Sequence, residues 1–381
     1  MLWEKISGNP ITPLISWQDT RGAESCAALQ SQESLIARFT GLRLTPYYFG
    51  PKLSVMLRQN PQWRERLLRG ELLVGTLDTF LIWRWTEGKQ YITDASMAAR
   101  TLLMDIAQQQ WSPVLCELFD IPLHILPAIN TSTHMKVKLD SGLTLQASLG
   151  DQSAALVASV GDARNIALVN LGTGGFVIRY LKNLHANTDG YLRTLVYQDN
   201  AQPVHIAMEG TINSIAAALA PYPVNECSID DLAAHADIFC IAEPSGLGAP
   251  YFRQDIGLQF SASIAQLSQK QIASLLLEAI IFRVVRIVED FHDDAPIDRV
   301  YLSGGLSELT CLQQGIAMCL RCDVYRLQQR EASLQGAGML AANVMSAEQR
   351  NAKKVFLTHE IKTLFNKYLR WKIWFDGLLN T

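Results

Sequence analysis

Three places in the sequence combine residue types and spacing that suit the handling of phosphate and hydroxyl groups. Asp151 follows Gly150, where an apolar, strand-like run gives way to the small-residue segment "DQSAALVASV". Glycine clusters at residues 172–175 and 304–305 follow two later strand-like runs. A carboxylate at the start of a helix acts either as an N-cap or, facing a cleft, as a general base. Position alone favours the N-cap, and both interpretations stay open at this point.

Glycine turns after strands are suited to anions, because their backbone amides approach a ligand closely. Each cluster alone is weak evidence, since tight turns require glycine in any case. Two clusters on successive strands of one domain, preceded by Asp151, indicate phosphate or nucleotide contact more strongly.

The elements that position these residues differ between the two halves of the chain. To about residue 158 the sequence predicts mostly helices with short strands. Beyond it, "RNIALVNLGTGGFVIRYL" predicts a hairpin, and "RVYLSGGLSELTCLQQGIAMCL" predicts a strand, a glycine turn and a helix. The small-residue segment "SLQGAGMLAANVM" predicts a helix packed closely on a sheet. Strands alternating with helices favour an α/β domain around a central sheet.

Composition excludes several classes of protein. The 381 residues carry a net charge of −3, which gives no electrostatic case for nucleic acid. The seven cysteines are scattered and odd in number, which favours a reducing compartment. Cys319 and Cys322 are predicted at a helix-to-strand junction, and no metal site is expected. The first residues lack a signal peptide's apolar core, so we expect a cytoplasmic protein without a membrane partner.

Two apolar stretches need an interpretation of their own. The run "IASLLLEAIIFRVVRIV" contains Glu278, Arg283 and Arg286, and is too short and too charged to span a bilayer. The tail "HEIKTLFNKYLRWKIWFDGLL" has a helical apolar stripe edged by basic residues. Such a helix lies on a membrane or docks on its own domain, and docking is the more frequent case.

Ordered blocks over nearly the whole chain resemble the FGGY carbohydrate kinases, and within that family the glycerol kinases. "WQDTR" resembles the W-Q-D-x-R motif, and "GDQSAAL" resembles G-D-Q-Q-A-A-L. The segment "GELLVGTLDTFLIWRWTEGKQYITDASMAARTLLMDI" is the most similar block. The remaining blocks are "TPYYFGPKL", "NLGTGGFV", "EGT", "SGLGAPYF", "LSGGLSE" and "REASLQGAGMLAA".

The resemblance implies an actin-like (ribonuclease H-like) α/β fold of two domains, with ATP and a polyol in the cleft between them. The domains would be residues 1–158 and 159–381. Asp151 matches the family's catalytic base, which takes a proton from the substrate hydroxyl. The family's polyol-contact positions fall on Trp17, Tyr47, Gln152 and Phe176. Its nucleotide-contact positions fall on Gly172, Thr173, Gly210, Gly304 and Gly305.

The sequence also departs from the family pattern. ATP and Mg²⁺ are the implied cofactors, but no D-x-G-T sequence, the family's phosphate loop, occurs in the chain. Thr45 stands where the family has Asp, and Leu309 and Thr310 stand where glycerol kinases have Asn-Asn. We therefore expect an incomplete first domain, partly open or completed by a partner chain.

Three functions remain open. The first is ATP-dependent phosphorylation of a small polyol or sugar hydroxyl. The second is a catalytically inactive, degenerate kinase that acts as a binding or interaction protein. The third is a sugar kinase homologue with a larger substrate. The resemblance leaves a homo-oligomer open as well.

Overall fold

The structure is a computed structural model that describes residues 1–182, 188, 190–199, 204–328, 331–345, 351–357 and 362–380. We call residues 1–149 the N-terminal part and residues 150–380 the C-terminal part.

The N-terminal part is mainly helical, as predicted. Its helices are α1 (Ala23–Ala28), α2 (Glu33–Thr40), α3 (Phe49–Gln59), α4 (Pro61–Leu68), α5 (Leu77–Trp85), α6 (Ala95–Ala99) and α7 (Pro113–Leu118). Its strands are β1 (Leu2–Glu4), β2 (Leu72–Val74), β3 (Ile92–Asp94), β4 (Met104–Asp105), β5 (Gln110–Trp111), β6 (Ala128–Asn130), β7 (Val137–Lys138) and β8 (Thr144–Leu145).

Local chemistry explains several of these boundaries. Pro61 is the first residue of α4, where the missing N–H of proline has no cost, so one apolar pattern becomes two helices. Asp94 caps α6 by accepting hydrogen bonds from the backbone N–H groups of Ser96 and Met97.

The strands of the N-terminal part pair only in twos. The pairs are β1 with β2, β3 with β6, β4 with β5, and β7 with β8, and only β3–β6 is parallel. Residues 1–149 are all described, and none of their sheets has more than two strands. The expected incomplete first domain stays a prediction.

The C-terminal part alternates strands and helices. Its helices are α8 (Asp151–Val160), α9 (Ile215–Leu219), α10 (Gln269–Asp294), α11 (Thr310–Cys319), α12 (Ala332–Ala341) and α13 (Lys362–Leu379). Its strands are β9 (Ile166–Leu171), β10 (Gly175–Tyr180), β11 (Leu192–Tyr197), β12 (His205–Ile212), β13 (Cys240–Ile241), β14 (Gln259–Phe260), β15 (Arg299–Ser303), β16 (Asp323–Leu327) and β17 (Ala352–Lys354).

Among the described residues, a mixed sheet of seven strands organises this part, in the order β11-β12-β10-β9-β15-β16-β17. The central pairs β9–β15 and β15–β16 are parallel, and the outer pairs are antiparallel. The predicted hairpin of β9 and β10 and the predicted strand β16 are confirmed.

Helices cover both faces of this sheet. On one face, α10, α11 and α13 contribute to a large apolar core with Val169, Val177 and Leu302. On the other face, α8 and α12 contribute Leu156, Val157 and Leu340. The predicted domain boundary assigns most of α8 to the first domain, yet α8 packs on β9 and α12. Helix α12 approaches α8 most closely, rather than the sheet alone as expected, because Gly336 leaves no side chain between the helices.

Both apolar stretches are internal. Charges of α10 pair within the core, Arg283 with Glu243 and Glu278 with Lys367. In α13, Leu364, Tyr368, Trp371 and Phe375 are buried, so the docked interpretation of the tail is confirmed. Among the residues described, no helix has both the length and the apolar character needed to cross a membrane.

The Cys319–Cys322 pair lies where expected. Cys319 is the last residue of α11 and Cys322 immediately precedes β16. Both are free thiols, and burial raises the pKa of Cys319 to about 12 and that of Cys322 to about 11. The helix-to-strand interpretation is confirmed.

Candidate functional site

Asp151 begins the helix that carries it but does not cap it. Gly150 is the N-cap of α8, and no side chain makes a capping hydrogen bond there. The Asp151 side chain is exposed, and one of its oxygens accepts a hydrogen bond of 2.7 Å from the backbone N–H of Gln152. The N-cap interpretation is therefore wrong. The carboxylate still lies at the N-terminal end of α8, where the helix dipole is positive.

Arg100, immediately after α6, connects the N-terminal part with this turn. Its Nη2 donates to Oε1 of Gln152 at 2.8 Å and lies 3.5 Å from Oε2 of Glu209. Burial opposes the charge of Arg100, but Glu209, Tyr48 and Asp151 outweigh it and hold its pKa above the ordinary value. A fixed positive charge therefore stands beside Asp151 and Gln152.

Sequence reasoning missed Arg100, Tyr48 and Glu209 as members of the site. A signal was present for all three, because each lies in a block that resembles the family: Arg100 in the longest block, Tyr48 in "TPYYFGPKL" and Glu209 in "EGT". Glu209 lies in β12, and its side chain is only 5% exposed. A charged residue inside an otherwise apolar strand is a reason to look for a partner.

The aromatic residues predicted to contact a polyol form a surface near Arg100. The rings of Trp17 and Tyr47 meet edge to face with centroids 6.1 Å apart, and the two side chains are 69% and 48% exposed. The neighbouring Tyr48 hydrogen-bonds Arg100. Buried Lys52 donates to the backbone carbonyls of Ser16 (2.7 Å) and Trp17 (3.1 Å) and so holds the Trp17 segment against α3.

Phe176 reaches the same region from the sheet. In β10 it is in register with Asn170 of β9 and Thr211 of β12. Ile178, two residues on, packs on the face covered by α8, so Phe176 is directed to that face. Glu209 shares this face, because it lies two residues from Thr211 in β12. The fold thus places Phe176 on the side of the sheet that bears Arg100 and Gln152.

The two glycine turns lie side by side. Strands β9 and β15 are parallel neighbours, and the turns of Gly172–Thr173 and Gly304–Gly305 follow their carboxyl ends. Gly304 has φ +87°, and a Cβ there would lie 2.4 Å from the carbonyl oxygen of Leu171. A Cβ on Gly305 would meet no atom within 4 Å. The two turns follow strands of one sheet, although β10–β14 lie between β9 and β15 along the chain. Contact of either turn with a nucleotide stays a prediction.

Gly210 has a different environment from the other predicted nucleotide positions. It is buried within β12, and a Cβ would lie 2.6 Å from Cγ2 of Ile287 in α10. Close packing of strand and helix therefore accounts for glycine here. A nucleotide contact of Gly210 stays a prediction.

The donor set for a cation is sparse. In the described residues no three or more His, Cys, Asp or Glu side chains form a group that could hold a metal ion. Mg²⁺ bound with a nucleotide takes many of its ligands from phosphate oxygens and water.

Comparison with known proteins identifies relatives along the whole chain. Residues 1–168 match the model of the N-terminal domain, and residues 167–345 that of the C-terminal domain, of the FGGY family of carbohydrate kinases. Glycerol kinase of Corynebacterium glutamicum (strain R) is 32% identical over 374 residues, 90% of this chain and 72% of that protein. Glycerol kinase of Rhodopseudomonas palustris (strain BisA53) is 30% identical over 415 residues, 100% of this chain and 82% of that protein.

Solved structures agree in fold. Glycerol kinase of Plasmodium falciparum with ADP superimposes with a TM-score of 0.84 at 22% identity, covering 99% of this chain and 81% of that one. Xylulose kinase of Rhodospirillum rubrum gives a TM-score of 0.77 at 17% identity, covering 99% and 82%. The predicted actin-like two-domain sugar kinase fold is confirmed.

Proposed function

Because the chain belongs to the FGGY family of carbohydrate kinases, we propose that it transfers a phosphoryl group from ATP to a hydroxyl of a small polyol or sugar. Glycerol is the first candidate acceptor, since relatives about one-third identical are named glycerol kinases. The observation that carries the proposal is the exposed Asp151 at the start of α8, next to Gln152 and Arg100.

Asp151 is the base in this mechanism. Its carboxylate accepts the proton of the acceptor hydroxyl while the hydroxyl oxygen attacks the γ-phosphorus of ATP. The bond between that phosphorus and the bridging oxygen breaks, and ADP leaves with the electron pair. A Mg²⁺ ion bound with ATP would neutralise phosphate charge.

The other residues orient the reactants. Trp17 and Tyr47 present exposed rings that suit the C–H faces of a polyol, and the Gln152 amide suits a hydroxyl. The turns at residues 172–173 and 304–305 present backbone to the phosphates at the carboxyl ends of two strands. Arg100 keeps Gln152 in place, because the bond between them joins two parts of the chain.

Polyol binding without turnover is the alternative. This alternative is supported by the N-terminal part, whose strands pair only in twos. Phosphoryl transfer depends on precise positioning and on charge stabilisation, so a small displacement of the N-terminal wall of the cleft would lower the rate more than the affinity.

ADP release with glycerol, xylulose and gluconate as acceptors tests the proposal directly. We expect turnover with at least one acceptor and a loss of about 10²- to 10⁴-fold in Asp151→Asn. Asp162→Asn, an exposed carboxylate just after the other end of α8, is the matched control and should keep the wild-type rate.

Two outcomes would decide against the proposal. Turnover that Asp151→Asn leaves intact would remove Asp151 from the mechanism. Calorimetric binding of an acceptor without ADP release would favour the binding protein.

A further inference from the structure

Helix α6 and the residue after it make two hydrogen bonds to the first turn of α8, which carries Asp151. Near its start, Oγ of Ser96 accepts the backbone N–H of Gly150 at 2.9 Å. Just after its end, Arg100 donates to the side chain of Gln152 at 2.8 Å. The residues immediately before and after Asp151 are therefore both bonded to one short helix of the N-terminal part.

The hydroxyl of Ser96 has a fixed direction. It donates to Oδ1 of Asp94 at 3.1 Å, which leaves its lone pairs for the N–H of Gly150. Asp94 is fully buried and also accepts the N–H groups of Ser96 (2.8 Å) and Met97 (3.0 Å). A carboxylate without solvent contact thus sets the orientation of the group that holds Gly150.

Asp94 also orients the hydroxyl of Ser132. Ser132 donates to Oδ2 of Asp94 at 2.7 Å, and its Oγ accepts the backbone N–H of Gln198 at 3.1 Å. Gln198 directly follows β11. One carboxylate therefore orients two hydroxyls, and each of these receives an N–H group from the C-terminal part.

From this geometry we propose that Asp94 is a positioning residue that acts through Ser96 on the Gly150–Asp151 turn and so fixes the catalytic carboxylate relative to the N-terminal wall of the cleft. The inference rests on the proposed function, since it takes Asp151 as the base. A role of Asp94 as the cap of α6 alone leaves part of the network unexplained. Such a cap needs the N–H groups of Ser96 and Met97, but not the bond from Ser96 to Gly150.

Ser96→Ala is the sharpest variant, because it removes the link and keeps Asp94 as a cap. We expect kcat to fall about 10- to 100-fold, since a small misplacement of a catalytic group has effects of this size. The KM for ATP should change less than about twofold, because no nucleotide contact is altered. Ser96→Thr, which keeps the hydroxyl, should restore most of the rate.

The matched control is Ser274→Ala in α10. Ser274 is also a buried helical serine, and its hydroxyl donates to the carbonyl of Gln271. It should leave kcat at the wild-type value. In an Asp151→Asn background, Ser96→Ala should cause no additional loss. Equal rates for Ser96→Ala and Ser274→Ala would overturn the inference. It would also be overturned if Ser96→Ala caused the same fold-loss in the Asp151→Asn background as in the wild-type protein.

Hydrogen exchange separates this inference from the proposed function. The Gly150 amide should exchange at least about tenfold faster in Ser96→Ala, because its acceptor is gone, and should be unchanged in Ser274→Ala. If the wild-type protein shows no turnover, the proposed function fails, and unchanged exchange at Gly150 would then refute the positioning role as well. If Ser96→Ala does not fold, Ser96→Cys, with its weak acceptor, takes its place.

Discussion

The two parts of the molecule bury their apolar side chains in different architectures. The C-terminal part builds one sheet of seven described strands with apolar cores on both faces. The N-terminal part pairs its strands in twos and has a smaller apolar core of its own, which includes Leu2, Leu53 and Phe119. The C-terminal part therefore has the larger core, and we expect it to contribute more to the free energy of unfolding.

Those bonds are specific. The backbone of Gly41 accepts the N–H of Arg193, and a Cβ on Gly41 would lie 2.5 Å from the Arg193 carbonyl oxygen. Ser132 and Gln198 exchange a second set of hydrogen bonds. Apolar contacts accompany these bonds, because Ala98, Met104 and Ile106 of the N-terminal part belong to the large core of the C-terminal part. The predictions that follow test this contrast.

The largest effect is expected at the buried ion pair of the C-terminal part. Arg283→Met leaves the fully buried Glu243 without its cation, which costs about 3–5 kcal/mol of unfolding free energy. Urea denaturation measures the loss. The control Arg253→Met removes a partner of the exposed Asp255 and should lower the unfolding free energy far less, because solvent screens an exposed pair. Similar losses in the two variants would contradict the larger contribution expected of the buried ion pair.

Two tryptophans compare the parts under the same substitution. Trp371 is fully buried and stacks on Phe375 with centroids 4.6 Å apart, so Trp371→Ala should cost about 3–5 kcal/mol. Trp17 is 69% exposed, so Trp17→Ala should change stability by less than about 0.5 kcal/mol. Thermal unfolding gives both values. Trp17→Ala should instead weaken acceptor binding, measured by calorimetric titration, and a large stability loss there would break the comparison.

The buried carboxylate of the N-terminal part should respond to pH. Burial, with the charge of nearby Asp78, raises the pKa of Asp94 to about 7 although several donors oppose the shift. The folded state thus holds the proton more tightly than the unfolded chain. The contribution of Asp94 to stability is complete below pH 3.8 and is lost as the pH rises toward 7.

Asp94→Asn does not titrate and serves as the reference. The unfolding free energy of the wild-type protein relative to Asp94→Asn should fall by up to about 4 kcal/mol between these pH values. Urea titrations at several pH values measure the difference. A difference independent of pH would show that Asp94 is ionised throughout.

The smallest effect concerns two glycines of α12. A Cβ on Gly336 would lie 1.8 Å from the carbonyl oxygen of Ala154, so Gly336→Ala should cost about 1–3 kcal/mol by forcing α12 from α8. A Cβ on Gly338 meets nothing within 4 Å, and Gly338→Ala should stabilise the helix by up to about 1 kcal/mol. Circular dichroism during thermal unfolding shows whether each variant is less or more stable than the wild-type protein. Equal effects would mean that α8 and α12 separate readily.

Sequence patterns predicted the elements that are long or strongly periodic. The stripe of α13, the hairpin of β9 and β10, and the helix-to-strand junction at Cys319 follow from spacing that any helix or strand imposes. The site was predictable only in part. Asp151 was found by its block, but its place after the N-cap depended on which residue first adopts helical torsions.

Partnerships across the chain lay beyond sequence reasoning. Arg100 meets Gln152, 52 residues away, and Ser96 meets Gly150, 54 residues away. Gly210 resembled a ligand contact, whereas its surroundings give a packing reason for glycine.

By itself, the sequence determined which segments are helical or extended, which faces are apolar and which family pattern the chain carries. These properties depend on local torsions and on the periodicity of side chains along one segment. The tertiary structure alone decided that α6 is bonded to the residues on either side of Asp151 and that the buried carboxylate of Asp94 orients the hydroxyls of Ser96 and Ser132. Such contacts require distant segments to converge, and hydrogen bonds of defined direction form only after packing has excluded water.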